Sequence, residues 1–217
     1  VIVKKLVGLS AALALLASAT GAVSVAATIP SHVRGTVSSV SPTSFTVTTS
    51  AGPVVVALSP KTGFAGALPA SVADIEPGTF IGTANVATGG AARALEVVIF
   101  PESMRGTGEG DYPWDLTPAA GHSSMTNGTV KLHGGSSMTN ATVKHVASNG
   151  IRTVDVAYKG GTKTIAIPAN VPIVRLEPGT AKLLAPGVRV FVVAVPHGGA
   201  LGAAFVVAGE HGTVPPM

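Results

Sequence analysis

The amino-acid sequence predicts an all-β protein, two tandem small five-stranded barrels of the OB or SH3-like kind behind a cleaved signal peptide. Three observations carry that expectation. From Val33 onward, short runs of Val, Ile, Thr and Phe are broken by Gly, Pro, Asn and Ser, the signature of strands and tight turns. The order of these runs recurs in the second half of the chain. The first residues divide into a charged start, an apolar centre and a small-residue exit.

The first module is read over 28–100. Val33 to Val40 is its first strand, and Ser41-Pro42-Thr43 has turn chemistry. Ser44 to Thr49 alternates Phe45 and Val47 against Thr46 and Thr48, as a half-buried strand does. Val54 to Leu58 is a continuous apolar run, and Thr79 to Ala87 forms a hairpin with Ala91 to Phe100 about Thr88-Gly89-Gly90. Ser71 to Gly78 reads as one short helical turn stopped by Pro77-Gly78.

The second module, 138–210, repeats this order. Asn140 to Ala147 takes the place of the first strand, Arg152 to Tyr158 and Lys163 to Ile167 follow, and Val188 to Val195 pairs with Ala200 to Ala208 about His197-Gly198-Gly199. Leu183 to Gly187 is the counterpart of Asp74 to Gly78 and keeps its Pro-Gly stop. Five short strands twice over point to a domain duplication, and closing each set into a barrel removes edges that would otherwise pair with other chains. Residues 101–137 are expected to be a Gly-rich connecting loop and 211–217 a C-terminal tail.

Residues 1–27 are expected to be the signal peptide. Lys4-Lys5 precede an apolar run from Leu6 to Leu16, and Ala17-Ser18-Ala19 and Val25-Ala26-Ala27 both offer small-residue cleavage sites. A spanning helix needs about 20 mainly apolar residues. Gly8, Ser10, Ser18, Thr20, Gly21 and Ser24 dilute this stretch, and no later segment is apolar for long enough to cross a bilayer as a helix. The expected location is periplasmic or secreted. Cysteine is absent, so the fold has no disulfide to rely on and thiol chemistry is excluded.

Charge narrows the partners. The 14 basic residues include Lys4 and Lys5, which leaves 12 against 10 acidic residues after the signal segment. They are spread singly, with neither a basic stripe nor enough aromatic residues for a nucleic-acid surface. No nucleic-acid partner is expected.

The chemistry-bearing residues concentrate in the connecting segment. It holds a local tandem repeat, in which Ser123 to Lys131 (SSMTNGTVK) recurs as Ser136 to Lys144 (SSMTNATVK). Met104, His122, Met125, His133 and Met138 lie in this segment or at its border, and thioether with imidazole suits copper, Cu(I) in particular. Set against this, Met125 and Met138 are products of one duplication and also suit irregular packing, and the set lacks tight metal-site spacing. Arg105, Glu109, Asp111, Tyr112, Trp114 and Asp115 gather charge and amphipathic rings in a charge-poor chain. They read either as a recognition loop or as a clasp, with Trp114 plugging the seam between modules and Arg105 paired to a carboxylate.

Gly35-Thr36-Val37 with Phe45-Thr46-Val47, then Asp74-Ile75-Glu76-Pro77-Gly78, resembles the exported bacterial β-domain family DUF5666. Met104 to Gly110 (MRGTGEG), Trp114-Asp115-Leu116 and the ending Val214-Pro215-Pro216-Met217 are similar to a longer proteobacterial subgroup of it. The resemblance implies a small repeated β domain and brings no catalytic residues. No nucleophile–base pair is readable, and Gly121 to Met125 lacks the G-x-S-x-G elbow. The expectation is a non-enzymatic binding or structural protein of the cell envelope, its partner an envelope protein or a small ligand. The alternative is a copper-binding accessory protein.

Overall fold

Alternating runs broken by turn residues become strands throughout the computed structural model, which describes residues 32–116, 122–131 and 151–216. The first half supplies β1 (His32–Val40), β2 (Ser44–Thr49), β3 (Gly52–Ala57), β4 (Gly63–Pro69), β5 (Phe80–Val86) and β6 (Ala92–Ile99). Then come β7 (Gly110–Trp114), β8 (Ser123–Lys131), β9 (Arg152–Tyr158), β10 (Gly161–Ile167), β11 (Ile173–Pro178), β12 (Arg189–His197) and β13 (Ala200–Gly209). The helical pieces among the described residues are single turns at Val72–Asp74, Glu102–Met104 and Ala181–Leu183. The protein is all-β, and among the described residues no helix is long and apolar enough to cross a membrane.

The pairing departs from the tandem arrangement. β8, β5, β6, β10 and β9 pair in a ring, closed by the parallel contact of β6 with β10, and form a five-stranded barrel. β1, β12, β13, β3 and β2 pair in the same cyclic order, their ends meeting at Gly202 opposite Ala57. Each ring therefore takes three strands from one part of the chain and a hairpin from the other. The reason lies in β4 and β11, which pair antiparallel with each other and run parallel to β13 and β6. Each leads its chain out of one ring and delivers the following hairpin to the other. Sequence reading passes over both strands because Gly63, Gly66, Pro69 and Pro178 punctuate them.

The duplication is legible in the pairings. β1 to β6 correspond in order to β8 to β13, with a bulge after Ala84 in β5 and after Val193 in β12. The Pro-Gly stops match too, Gly78 and Gly187 both having φ of +92°, a conformation a Cβ disfavours. The segment expected as a connecting loop contains β7 and β8, and β8 is the first strand of the second set. Asn140 to Ala147, expected in that place, lies outside the described residues, as do residues 1–27, His133 and Met138.

Packing indicates why Ser123–Lys131 can occupy this position. A Cβ on Gly128 would run into the carbonyl oxygen of Ala157 on β9, and one on Gly35 of β1 would meet the carbonyl of Thr48 on β2 in the same way. Both glycines begin a Gly-Thr-Val triplet. The second copy of the repeat carries Ala141 at that point, and an alanine does not fit there without moving backbone.

Three apolar clusters are formed among the described residues. One ring encloses Val37, Phe45, Val47, Val192 and Val206, capped by Leu184, and the other encloses Ile81, Val97, Val156, Ile165 and Ile167, capped by Ile75. The third joins them across the outer face of the central strands, with Phe80, Val98, Phe100, Leu176, Phe191 and Val207. Burying each such side chain contributes roughly 1.5–3 kcal/mol.

Replacing Gly128 with Ala is expected to destabilise the protein by about 1–3 kcal/mol through overpacking against β9. Thermal unfolding checks this, and an unchanged melting temperature would remove the explanation for the strand's choice.

Candidate functional site

Residues 102–116 lie across both rings as a strap. At one end Arg105 pairs with Glu102 at 2.6 Å and donates to the Gly78 carbonyl at 2.9 Å and the Thr129 hydroxyl at 3.0 Å. The Glu109 carboxylate accepts from the Lys159 backbone N–H at 3.0 Å. Asp111 accepts from Lys163 Nζ at 2.9 Å and from the Thr126 hydroxyl at 2.8 Å. These contacts fasten the strap to the barrel of β5, β6, β8, β9 and β10.

At the other end Asp115 reaches β1. Arg34 donates to both of its oxygens, at 2.7 and 3.0 Å, and His32 Nδ1 lies 2.9 Å from Oδ2. Burial works against the charge on Asp115, but the hydrogen bonds and positive charge of Arg34 and His32 outweigh it and hold the carboxyl down at about 2. Between the two fastenings β7 pairs with β8. Its alternation turns Tyr112 and Trp114 to the same, inner side while Asp111 and Pro113 face outward. Pro113 also removes a donor from this edge strand.

Under the strap lies a cavity of about 390 Å³ with almost wholly apolar walls. Tyr112, Trp114, Phe100, Phe191 and Phe205 line it together with Met104 and Met125. The Trp114 ring is 4.4 Å from His32 and 6.3 Å from Phe191, centroid to centroid, and Tyr112 meets it edge-on at 6.2 Å. Its polar lining residues are few: His32 beside Trp114, Thr107, and the pair Asn127 and Tyr112. Asn127, 5% exposed, donates through Nδ2 to the Gly108 carbonyl at 3.0 Å and to the Tyr112 hydroxyl at 3.2 Å. Burial pushes the Tyr112 phenol above its usual range, so it stays protonated.

Two buried polar atoms of the cavity-lining residues have no hydrogen-bond partner, Trp114 Nε1 and Asn127 Oδ1. The second lies over Gly82, where a Cβ would collide with it. An orphaned buried donor or acceptor costs about 1–3 kcal/mol, so both call for an explanation.

The two groups of residues singled out from the sequence thus meet. Met104 and Met125 line the same cavity that Tyr112 and Trp114 cover. His122 is exposed just before β8 and does not line it, and His133 and Met138 lie outside the described residues. Among the described residues no group of three or more His, Asp or Glu side chains is placed to hold a metal ion. The thioether residues Met104 and Met125 and the imidazole of His32, which is engaged with Asp115, are what the lining offers a soft cation.

Sequence reading missed His32, Arg34, Asn127 and Phe191. Asn127 left a trace, since an inward-facing Asn in a β-strand is disfavoured and asks for a specific partner. The other three leave none, because their role depends on β1 and β12 coming beside the strap. No family model, curated protein or solved structure matches the chain.

The Asp115 carboxyl sits below its ordinary 3.8, at about 2, so its contribution to stability is complete above pH 3.8 and is lost as pH falls through that window. Asp115→Asn is expected to lower the melting temperature at neutral pH and to flatten its decline between about pH 4 and 2. Equal slopes in the two proteins would show that this carboxylate does not anchor the strap.

Proposed function

We propose that the protein is an exported, non-enzymatic binding protein of the cell envelope that holds a small, mainly apolar ligand in the cavity beneath the strap. The observation that carries this reading is the pairing of an apolar cavity with buried polar atoms in its lining residues that have no partner in the chain. The cavity's 390 Å³ falls at the lower end of the roughly 300–1,000 Å³ of small-molecule sites. Its composition, mostly aromatic rings, aliphatic side chains and thioethers with a few polar groups, matches such sites as well. Export is supported by the charged start, apolar run and small-residue exit of residues 1–27, and the kinship with DUF5666 by the motifs quoted above. N-terminal sequencing of protein recovered from the producing cells is expected to find a start just after Ala19 or Ala27. Recovery of a chain that retains residues 1–19 would end the export reading.

A second reading, a copper-binding accessory protein, draws on Met104 and Met125 lining one cavity. One titration series separates the two. The uncharged dye N-phenylnaphthylamine is expected to brighten on saturable binding to one site per chain, and Met104→Trp, which fills the cavity, is expected to abolish the signal. Absence of saturable brightening would sink the apolar-ligand reading. Cu(I) added as a competitor tests the copper reading, which requires a stoichiometric complex that Met104→Leu and Met125→Leu each weaken.

A further inference from the structure

The pair Asn127 and Tyr112 in the cavity lining has a sign. The Tyr112 hydroxyl already accepts a hydrogen bond from Asn127 Nδ2, and its own hydrogen has no acceptor among the described residues. Accepting one bond polarises the hydroxyl and makes it a better donor in a low-dielectric site. Trp114, two residues along the same face of β7, adds a second donor without an acceptor in its Nε1–H. Nε1 is covered by its neighbours, so donation to a ligand requires the indole to turn as that ligand enters. The two rings are edge-to-face neighbours, their centroids 6.2 Å apart.

The charged groups beside the cavity are already paired. Among the described residues no Lys, Arg, Asp or Glu lines it; His32 does, but its Nδ1 is engaged with Asp115 Oδ2 at 2.9 Å, and the Arg34 guanidinium beside it is taken up by both oxygens of Asp115. The remaining wall is made of ring faces and thioethers, which favour a flat hydrophobic body.

We propose that the ligand is an uncharged, ring-containing carbonyl compound, such as an aromatic ketone or a quinone, whose oxygen accepts from Tyr112 Oη–H and Trp114 Nε1–H. This rests on the cavity-binding reading above and goes further by fixing the ligand's chemical class. Tyr112 and Trp114 are then the residues that set specificity, and Asn127 is the residue that orients the phenol.

Calorimetric titration of the full chain with three probes on one ring system tests it: acetonaphthone, naphthalene and naphthoate. The ketone is expected to bind at least about tenfold more tightly than either other probe, equivalent to ~1.4 kcal/mol. Trp114 is the only tryptophan, so its indole N–H gives a single NMR signal, which should move downfield with the ketone alone. Tyr112→Phe is expected to weaken ketone binding about tenfold, or ~1.4 kcal/mol, while leaving naphthalene binding unchanged. Trp114→Phe, which keeps a ring without its N–H, should also act on the ketone selectively. Naphthalene binding as tightly as the ketone, or either variant weakening both probes alike or neither, overturns the carbonyl assignment and leaves cavity binding standing. Tightest binding by naphthoate overturns the uncharged ligand. Failure of all three probes to bind overturns this assignment and the cavity-binding reading together.

Discussion

Because β4 and β11 pair with each other, neither half of the chain completes a ring from its own strands. The antiparallel register runs from Pro69 opposite Val174 to Ala65 opposite Pro178, and each strand lies parallel to the last strand of the other half. Every ring therefore contains a hairpin that arrived across this seam. Unpairing β4 from β11 would expose the third apolar cluster along with the two edges it covers. The stability of either ring is thus coupled to the seam, although the two interiors do not share side chains.

The strap makes use of that geometry. Its polar residues take one fastening on each ring, Asp111 with Lys163 on one and Asp115 with Arg34 on the other. Its aromatic residues close over the groove the seam leaves between them. Charge at the ends and rings in the middle divide the work: the ion pairs fix where the strap lies, and Tyr112 and Trp114 line the space beneath it. The strap lacks a counterpart in the other half among the described residues, and it is what makes the two-fold arrangement asymmetric and gives one face of the molecule a cavity.

Phe191 shows how closely site and fold are joined. It belongs to the hairpin that crosses the seam, and it presents its ring to His32 at 5.2 Å and to the Arg34 guanidinium at 5.0 Å. The cavity wall, the anchoring of the strap and the exchanged hairpin meet in this one side chain. The cavity is therefore lined by residues from both halves of the chain.

Local pattern in the amino-acid sequence determined the all-β class, most strand positions, the repeat of their order and the two Pro-Gly stops. Alternation and turn chemistry act over a few residues, and β2, for example, needs only Ser44 to Thr49 to declare itself. The residues of the strap were legible as well, because charge and rings stand out in an apolar chain. Which strand closes which ring was decided by tertiary structure. A hairpin fits its own module and the duplicated one equally well in local terms, and the choice depends on β4 and β11, whose glycines and prolines hide them. The same holds for Ser123–Lys131 in the place expected of Asn140 to Ala147. Only the carbonyl of Ala157, brought against β8 by the fold, distinguishes Gly128 from the alanine in the second copy. The cavity is likewise a tertiary product, since Tyr112 and Trp114 carry their chemistry in the sequence while Asn127, Phe191 and His32 reach them only through pairings between distant strands.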